Sequence, residues 1–353
     1  FFYLFGESWQ SYVFHASLFN GFLSLATFAI LRNFKLNIYY SLIYSLLFSV
    51  LAYPVSGTPF VDHHSAFFSL LGIYSLILGI KTEKKLYWFF LPILLVLAFL
   101  SKQIPSSYVI IIVILCLSIY SLVKKKYYWI KYSSLSITVF IFLLLSFGKL
   151  QGISLSSFLE QYIFYPQSIK NETGTSLMER FVNFQFTFRG VVDHFKFIYI
   201  ALIPLFFVNI KSAFFNKGYF QDKNFYYFLI LTLFTFSLIF HQVLTRNQTF
   251  IFFLIPILFS FSHIFLDLNK FKLKKITNIL LISICIFSVL KYHLRFNEGR
   301  KFHELNYVNF ELAVKGEVIN EKFRGLKWIT PEFASNPNKE IDLINQIKDY
   351  LKN

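Results

Sequence analysis

The sequence predicts an all-α integral membrane protein, a bundle of about ten transmembrane helices, and three observations predict it. Apolar stretches near the length of a bilayer crossing recur through most of the chain. Hydrophobic residues make up 56% of the 353 and charged residues 15%, with a mean hydropathy of +0.56, a balance that one soluble core of this size cannot absorb. Cations crowd into alternate connections between the stretches, the pattern of short loops that set membrane orientation. The formal charge of +16 therefore reads as topology, and nucleic acid is excluded as a partner.

A crossing helix needs about 20 mostly apolar residues, fewer where neighbours bury its ends. Ten spans follow in order: 11–31, 37–56, 66–80, 87–101, 107–123, 133–148, 195–210, 224–242, 249–267 and 276–293. The fourth and fifth form a tight hairpin, because only Ser101-Lys102-Gln103-Ile104-Pro105-Ser106 separates them. Arg32 and Lys35 fill the first connection; Lys81, Lys84 and Lys85 the third; Lys124, Lys125, Lys126 and Lys131 the fifth. Lys211, Lys217 and Lys223 fill the seventh, and Lys270, Lys272, Lys274 and Lys275 the ninth. The second holds no cation, the fourth Lys102 alone and the eighth Arg246 alone, so these face the non-cytoplasmic side. The outer loop 149–195 and both chain ends share that side.

Two regions follow: a polytopic transmembrane domain over 1–293, and an extracytoplasmic tail over 294–353. The tail reads as a small α-rich module ending in a helix near 339–351, with Pro331 and Pro337 before it. Cys116 and Cys285 fall inside apolar runs, which excludes a disulfide framework and a cysteine-based metal site. No 20–50-residue repeat and no matched pair of Gly/Pro-broken spans occurs, which counts against an inverted-repeat carrier.

Polar residues at outer membrane depth are costly and mark candidate sites. The first group is Gly57-Thr58-Pro59-Phe60-Val61-Asp62-His63-His64-Ser65. Asp62 with His63 or His64 could orient a substrate hydroxyl or hold a divalent metal ion; equally, Asp62 could simply cap the helix that follows. Adjacent histidines lack the i, i+4 spacing that sets two zinc ligands on one helix face. The second group is Ser101-Lys102-Gln103-Ile104-Pro105, where a lone cation stands on the side that avoids cations; its natural partner is a phosphate at the interface, and snorkelling is the plainer reading. The third is His241-Gln242-Val243-Leu244-Thr245-Arg246, whose guanidinium offers a phosphate a two-pronged grip or merely anchors a helix end. Glu7, near the start of the first span, is a further outer-face candidate together with His64 and Gln103. The loop 149–195 adds Glu160, Tyr162, Asp193 and others, none of which the sequence selects.

The outer Gly57-to-Asp62 segment before a span, then Ala98-Phe99-Leu100-Ser101-Lys102-Gln103-Ile104-Pro105, then Arg246 ahead of an aromatic-rich span with Pro256, resembles the polytopic glycosyltransferases of the GT-C fold. The likeness is to the branch holding protein O-mannosyltransferases and the aminoarabinose lipid A transferases, with Gln103 where that branch usually has Gly. It implies transfer of a sugar from a polyprenyl-phosphate donor to a glycan, lipid or protein acceptor, at the periplasmic or extracellular face of a bacterial inner (plasma) membrane. It casts Lys102 and Arg246 as binders of the donor phosphate and Asp62 as a second acidic position, catalytic or metal-binding. It also implies that the main catalytic acid belongs to a first outer loop, with one more helix, upstream of Phe1, since the chain opens there without an initiator Met. Two other classes fit outer loops of this kind: an O-antigen polymerase or ligase, and a flippase or transporter of lipid-linked glycans.

Overall fold

The computed structural model describes residues 2–6, 8–56, 61–165, 168, 189–215, 218–245, 251–268, 274–294, 310–329 and 336–352. Each of the ten apolar stretches forms a helix: α1 Trp9–Asn33, α2 Ile38–Ser56, α3 Val61–Thr82, α4 Lys85–Ser101, α5 Gln103–Lys124, α6 Tyr128–Leu150, α7 Lys196–Phe215, α8 Lys223–Thr245, α9 Leu254–Leu268 and α10 Lys274–Leu294. A polar helix, α11 Pro337–Lys352, closes the chain. Seven of them (α1, α3, α5, α6, α7, α8 and α10) are long and apolar enough to cross a membrane. Two of the others are shorter, α9 with 15 residues and α4 with 17, the latter about 25 Å long against a hydrocarbon core of about 30 Å. Length and composition thus give an all-α membrane protein with seven candidate crossings among the described residues.

The bundle is layered by exposure. Every residue from Leu254 to Leu266 of α9 is buried, as is nearly every position of α3 from Asp62 to Ile80. Helices apolar on all sides belong in a core, and these two make it. At the other extreme only Ser133 and Ser136 of α6 are buried, while Phe142, Leu143 and Phe147 are more than half exposed. A helix that turns apolar side chains outward on every face needs an apolar solvent, which argues for lipid around α6 independently of hydropathy.

Close helix contact is built with glycine. A Cβ added to Gly72 of α3 would lie 3.0 Å from Leu95 of α4, and one added to Gly79 would lie 3.0 Å from the Trp88 ring. Small residues let backbones approach where apolar burial against lipid gives little driving force.

One end of the bundle is rich in lysine and is braced by a single carboxylate. Glu83, in the α3–α4 turn at φ +58°, accepts from Lys126 Nζ at 2.6 Å and Lys223 Nζ at 2.9 Å, tying that turn to the α5–α6 turn and the start of α8. The hydrogen bond from Lys126, then that from Lys223, holds its carboxyl below the usual range, with burial opposing. Lys223 also donates to Lys81 O at 3.1 Å, and Lys81 to Asn33 O at 2.6 Å. Deeper from this end, His263 of α9 is wholly buried, with Tyr44 Oη at 3.4 Å and Asp267 Oδ1 at 4.0 Å.

The tail contains more than helix. Val314–Lys315 pairs antiparallel with Lys327–Trp328 between short 3-10 turns, and Ile319 and Ile341 are its buried apolar residues.

Candidate functional site

The opposite end of the bundle gathers three of the residues that the sequence singled out, Asp62, Lys102 and Gln103. Local backbone explains how. Lys102 is extended, at φ −159° and ψ 131°, and forms the joint between α4 and α5. Its N–H closes α4 on Ala98 O at 3.1 Å, while its carbonyl accepts from Ser65 Oγ at 3.0 Å and Ser106 Oγ at 2.6 Å. Pro105, which has no N–H to leave unsatisfied, sits in the first turn of α5, where helices tolerate it. The joint is therefore pinned to α3 and α5 at once.

From it the Lys102 side chain reaches Asp62 in the first turn of α3, and the ammonium and Oδ1 form an ion pair across 40 residues of sequence. The Asp62 side chain is 1% exposed and that of Lys102 38%. The pair is thus a buried carboxylate under a half-wet ammonium. The start of α3 adds a favourable helix dipole for the anion. Asp62 Oδ2 is buried and accepts no hydrogen bond from the described residues. The plain capping reading of Asp62 is replaced by this long-range pairing. Snorkelling does not describe Lys102 either, because its ammonium turns to a protein carboxylate.

Gln103, next along the joint, donates through Nε2 to Tyr162 O, and Tyr162 Oη donates to Phe99 O. These bonds fasten the first helical turns after α6, Leu155–Leu159 and Glu160–Phe164, to the α4–α5 hairpin. Burial pushes the Tyr162 hydroxyl's pKa upward, which keeps it a donor. Beside the hairpin, Ser154, Ser157, Phe158, Gln161 and Tyr162 line an open cavity of about 490 Å³. Asp193 pairs with Lys196 at 2.7 Å.

The other candidates divide. His64 turns to α1, its ring 5.1 Å from that of His15 and 4.8 Å from that of Phe19, and so does not join the ion pair. Glu7 and Arg246 lie outside the described residues, as do Gly57 to Phe60. His241 of α8 is 1% exposed and within electrostatic reach of both Asp62 and Lys102; the sequence placed it in the third group but gave it no role. Its sequence signal is weak, a lone histidine at the end of an apolar run. His63 is buried at 4% exposure beside Asp62, its ring 6.0 Å from that of Phe67.

The arrangement does not suit a divalent ion. Among the described residues no three His, Cys, Asp or Glu side chains form a metal-binding group, and the charged partner of Asp62 is an ammonium. What it can do is present a positioned cation, flanked by buried polar groups, at the end of an apolar bundle. That suits an anion arriving from the bilayer interface. Comparison with known protein families, with curated proteins and with solved structures finds no match to this chain.

Proposed function

We propose that the chain is a membrane glycosyltransferase of the GT-C type, which moves a sugar from a polyprenyl-phosphate donor to an acceptor hydroxyl on the non-cytoplasmic face. The observation that carries this reading is the Asp62–Lys102 pair, which unites two residues singled out separately as outer-face candidates. The cation pattern supports the orientation: Lys81, Lys126 and Lys223 meet at the opposite end, which is then cytoplasmic. On this reading all ten apolar helices cross the bilayer, α2, α4 and α9 with their ends sheltered by neighbours, and the tail lies outside.

In the reaction the acceptor oxygen bonds to the anomeric carbon as the bond from that carbon to the phosphate oxygen breaks; the phosphate leaves with the electron pair and takes up the proton that the acceptor hydroxyl loses. Lys102, with Arg246 as second cation, stabilises the charge that develops on the leaving phosphate. Asp62 holds the ammonium in place beforehand, so little reorganisation accompanies the step. No step is routed through a metal.

The test is sugar release from a panel of polyprenyl-phosphate hexoses and pentoses by the full chain in nanodiscs. Arg246→Ala and Asp62→Asn are expected to lower the rate at least tenfold while Lys102→Arg, which keeps the cation, retains most of it. Wild-type rates in the first two would overturn the phosphate site.

A flippase is the second reading, favoured by one observation: His263 is 0% exposed inside α9 with Asp267 one turn away. Scrambling of a fluorescent lipid-linked glycan without hydrolysis or transfer, lost in His263→Phe, would favour it.

A further inference from the structure

The tail helix α11 has one broad apolar side, and the described tail covers only its Ile341 edge. Ile341 is 5% exposed, the other buried apolar residue of the described tail being Ile319 at 6%, and Lys348 Nζ donates to Ile319 O. Leu343, Ile347, Tyr350 and Leu351 follow an i, i+4, i+7, i+8 pattern and are 43%, 58%, 82% and 77% exposed. At about 100° per residue they form a stripe that continues the apolar side away from Ile341, with the half-buried Ile344 between. The opposite side of the helix is polar, and the helix is electrically balanced, with Lys339, Lys348 and Lys352 against Glu340, Asp342 and Asp349.

We propose that α11 docks on the surface of the bilayer that already holds the bundle, with this stripe in the boundary between headgroups and acyl chains. A helix of low overall hydrophobicity with one apolar stripe has the composition of an interfacial element, and a tyrosine in the stripe suits that depth. Residues 295–309 join α10 to the described tail, so the tail stays within about 60 Å of the end of α10 by any path. Such tethering raises the effective concentration of the bilayer surface and makes a weak contact persistent. A second copy is the poorer occupant, because four side chains offer far less than the roughly 800 Å² per partner of a standard protein interface. The charge balance makes the contact apolar: neutral phosphatidylcholine suffices, and neither anionic lipid nor salt changes it. The inference does not depend on the sugar-transfer reading.

The test uses the full chain in phosphatidylcholine nanodiscs with single spin labels at Leu343→Cys, Ile347→Cys, Asp342→Cys and Asn345→Cys. Cys116 and Cys285 are both 0% exposed and stay in place unlabelled. Labels at 343 and 347 are expected to collide several-fold more with oxygen than with a water-soluble nickel chelate, and labels at 342 and 345 the reverse, in low and high salt alike. Adding Ile347→Asp to the Leu343→Cys chain should turn that label toward the chelate. Greater collision with the chelate at all four positions, or labels at 343 and 347 shielded from both reagents, would overturn the proposal; the second result would assign the stripe to a protein surface.

Discussion

The Asp62–Lys102 pair is asymmetric, and that makes it testable without a substrate. The Asp62 side chain is 1% exposed with Oδ2 already lacking a hydrogen bond among the described residues, whereas the Lys102 side chain is 38% exposed. Lys102→Met keeps the volume of the stem but strands a buried carboxylate, at a cost of about 3 kcal/mol, the low end for breaking a buried pair because this one is partly wet. Asp62→Asn leaves an ammonium that can swing into water, and costs about 1 kcal/mol. The double variant has no stranded charge, so it should lose about 1–2 kcal/mol rather than the sum, a coupling of about 2 kcal/mol. In a melting experiment at fixed scan rate in one detergent, with about 2–4 °C per kcal/mol, Lys102→Met should fall by about 6–12 °C and Asp62→Asn by about 2–4 °C. The double variant should melt above Lys102→Met. Equal losses in the two single variants, or additive losses in the double, would refute the claim that the carboxylate is buried and held by this lysine.

Three further outcomes follow from other parts of the molecule. Gly79→Ala drives a methyl to 3.0 Å from the fully buried Trp88 ring and should cost about 1–3 kcal/mol, while Gly72→Ala, which meets the flexible end of Leu95, should cost less; paired melting curves check the order. Because Glu83 has its carboxyl pulled below the usual value of 4.5, its stabilising effect is present above about that pH and is lost as pH falls through the lower folded value. The melting difference between wild type and Glu83→Gln should therefore be largest near neutrality and vanish in acid, and a difference that grew in acid would contradict the brace. A membrane-impermeant maleimide should label Gln161→Cys and Tyr127→Cys from opposite sides of sealed vesicles, since these exposed positions lie at opposite ends of the bundle; labelling from one side would break the proposed orientation.

Much of the fold was legible because its main cause is compositional. Runs of apolar residues in a chain with few charges can only be satisfied by helices in an apolar medium, and each of the ten runs is a helix. Helix length relative to the bilayer was not legible to the same degree. The end of α4 is fixed by the extended Lys102 and the start of α9 by the turn at Phe252 and Phe253, features of local backbone that hydropathy does not register. Glu83 was passed over for a related reason. Orientation is read from Lys and Arg, and a carboxylate among lysines carries no weight in that count, although it is the group that joins three cation-bearing segments.

At the site the sequence named individual residues but not their contacts. Asp62, Lys102 and Gln103 stood out because each is an expensive residue in an inexpensive neighbourhood. That Lys102 meets Asp62 depends on α3, α4 and α5 packing so that Ser65 and Ser106 grip one carbonyl, and a separation of 40 residues conceals it. The contact also changes what Lys102 can do. A lone ammonium would attract a phosphate from a distance, but an ammonium already paired with a carboxylate is close to neutral beyond a few ångströms and attracts one weakly. On the proposed sugar-transfer reading, long-range capture of the anionic donor falls to a second cation, and Arg246, just beyond the α8 end that carries His241, is the residue placed in sequence to supply it. On the same reading Lys102 acts at short range, where a phosphate oxygen can share the ammonium with Asp62. The two cations should therefore, on the proposed reading, separate kinetically: Arg246→Ala weakens donor affinity and makes it less salt-dependent, while Lys102→Met leaves affinity nearly unchanged and lowers turnover.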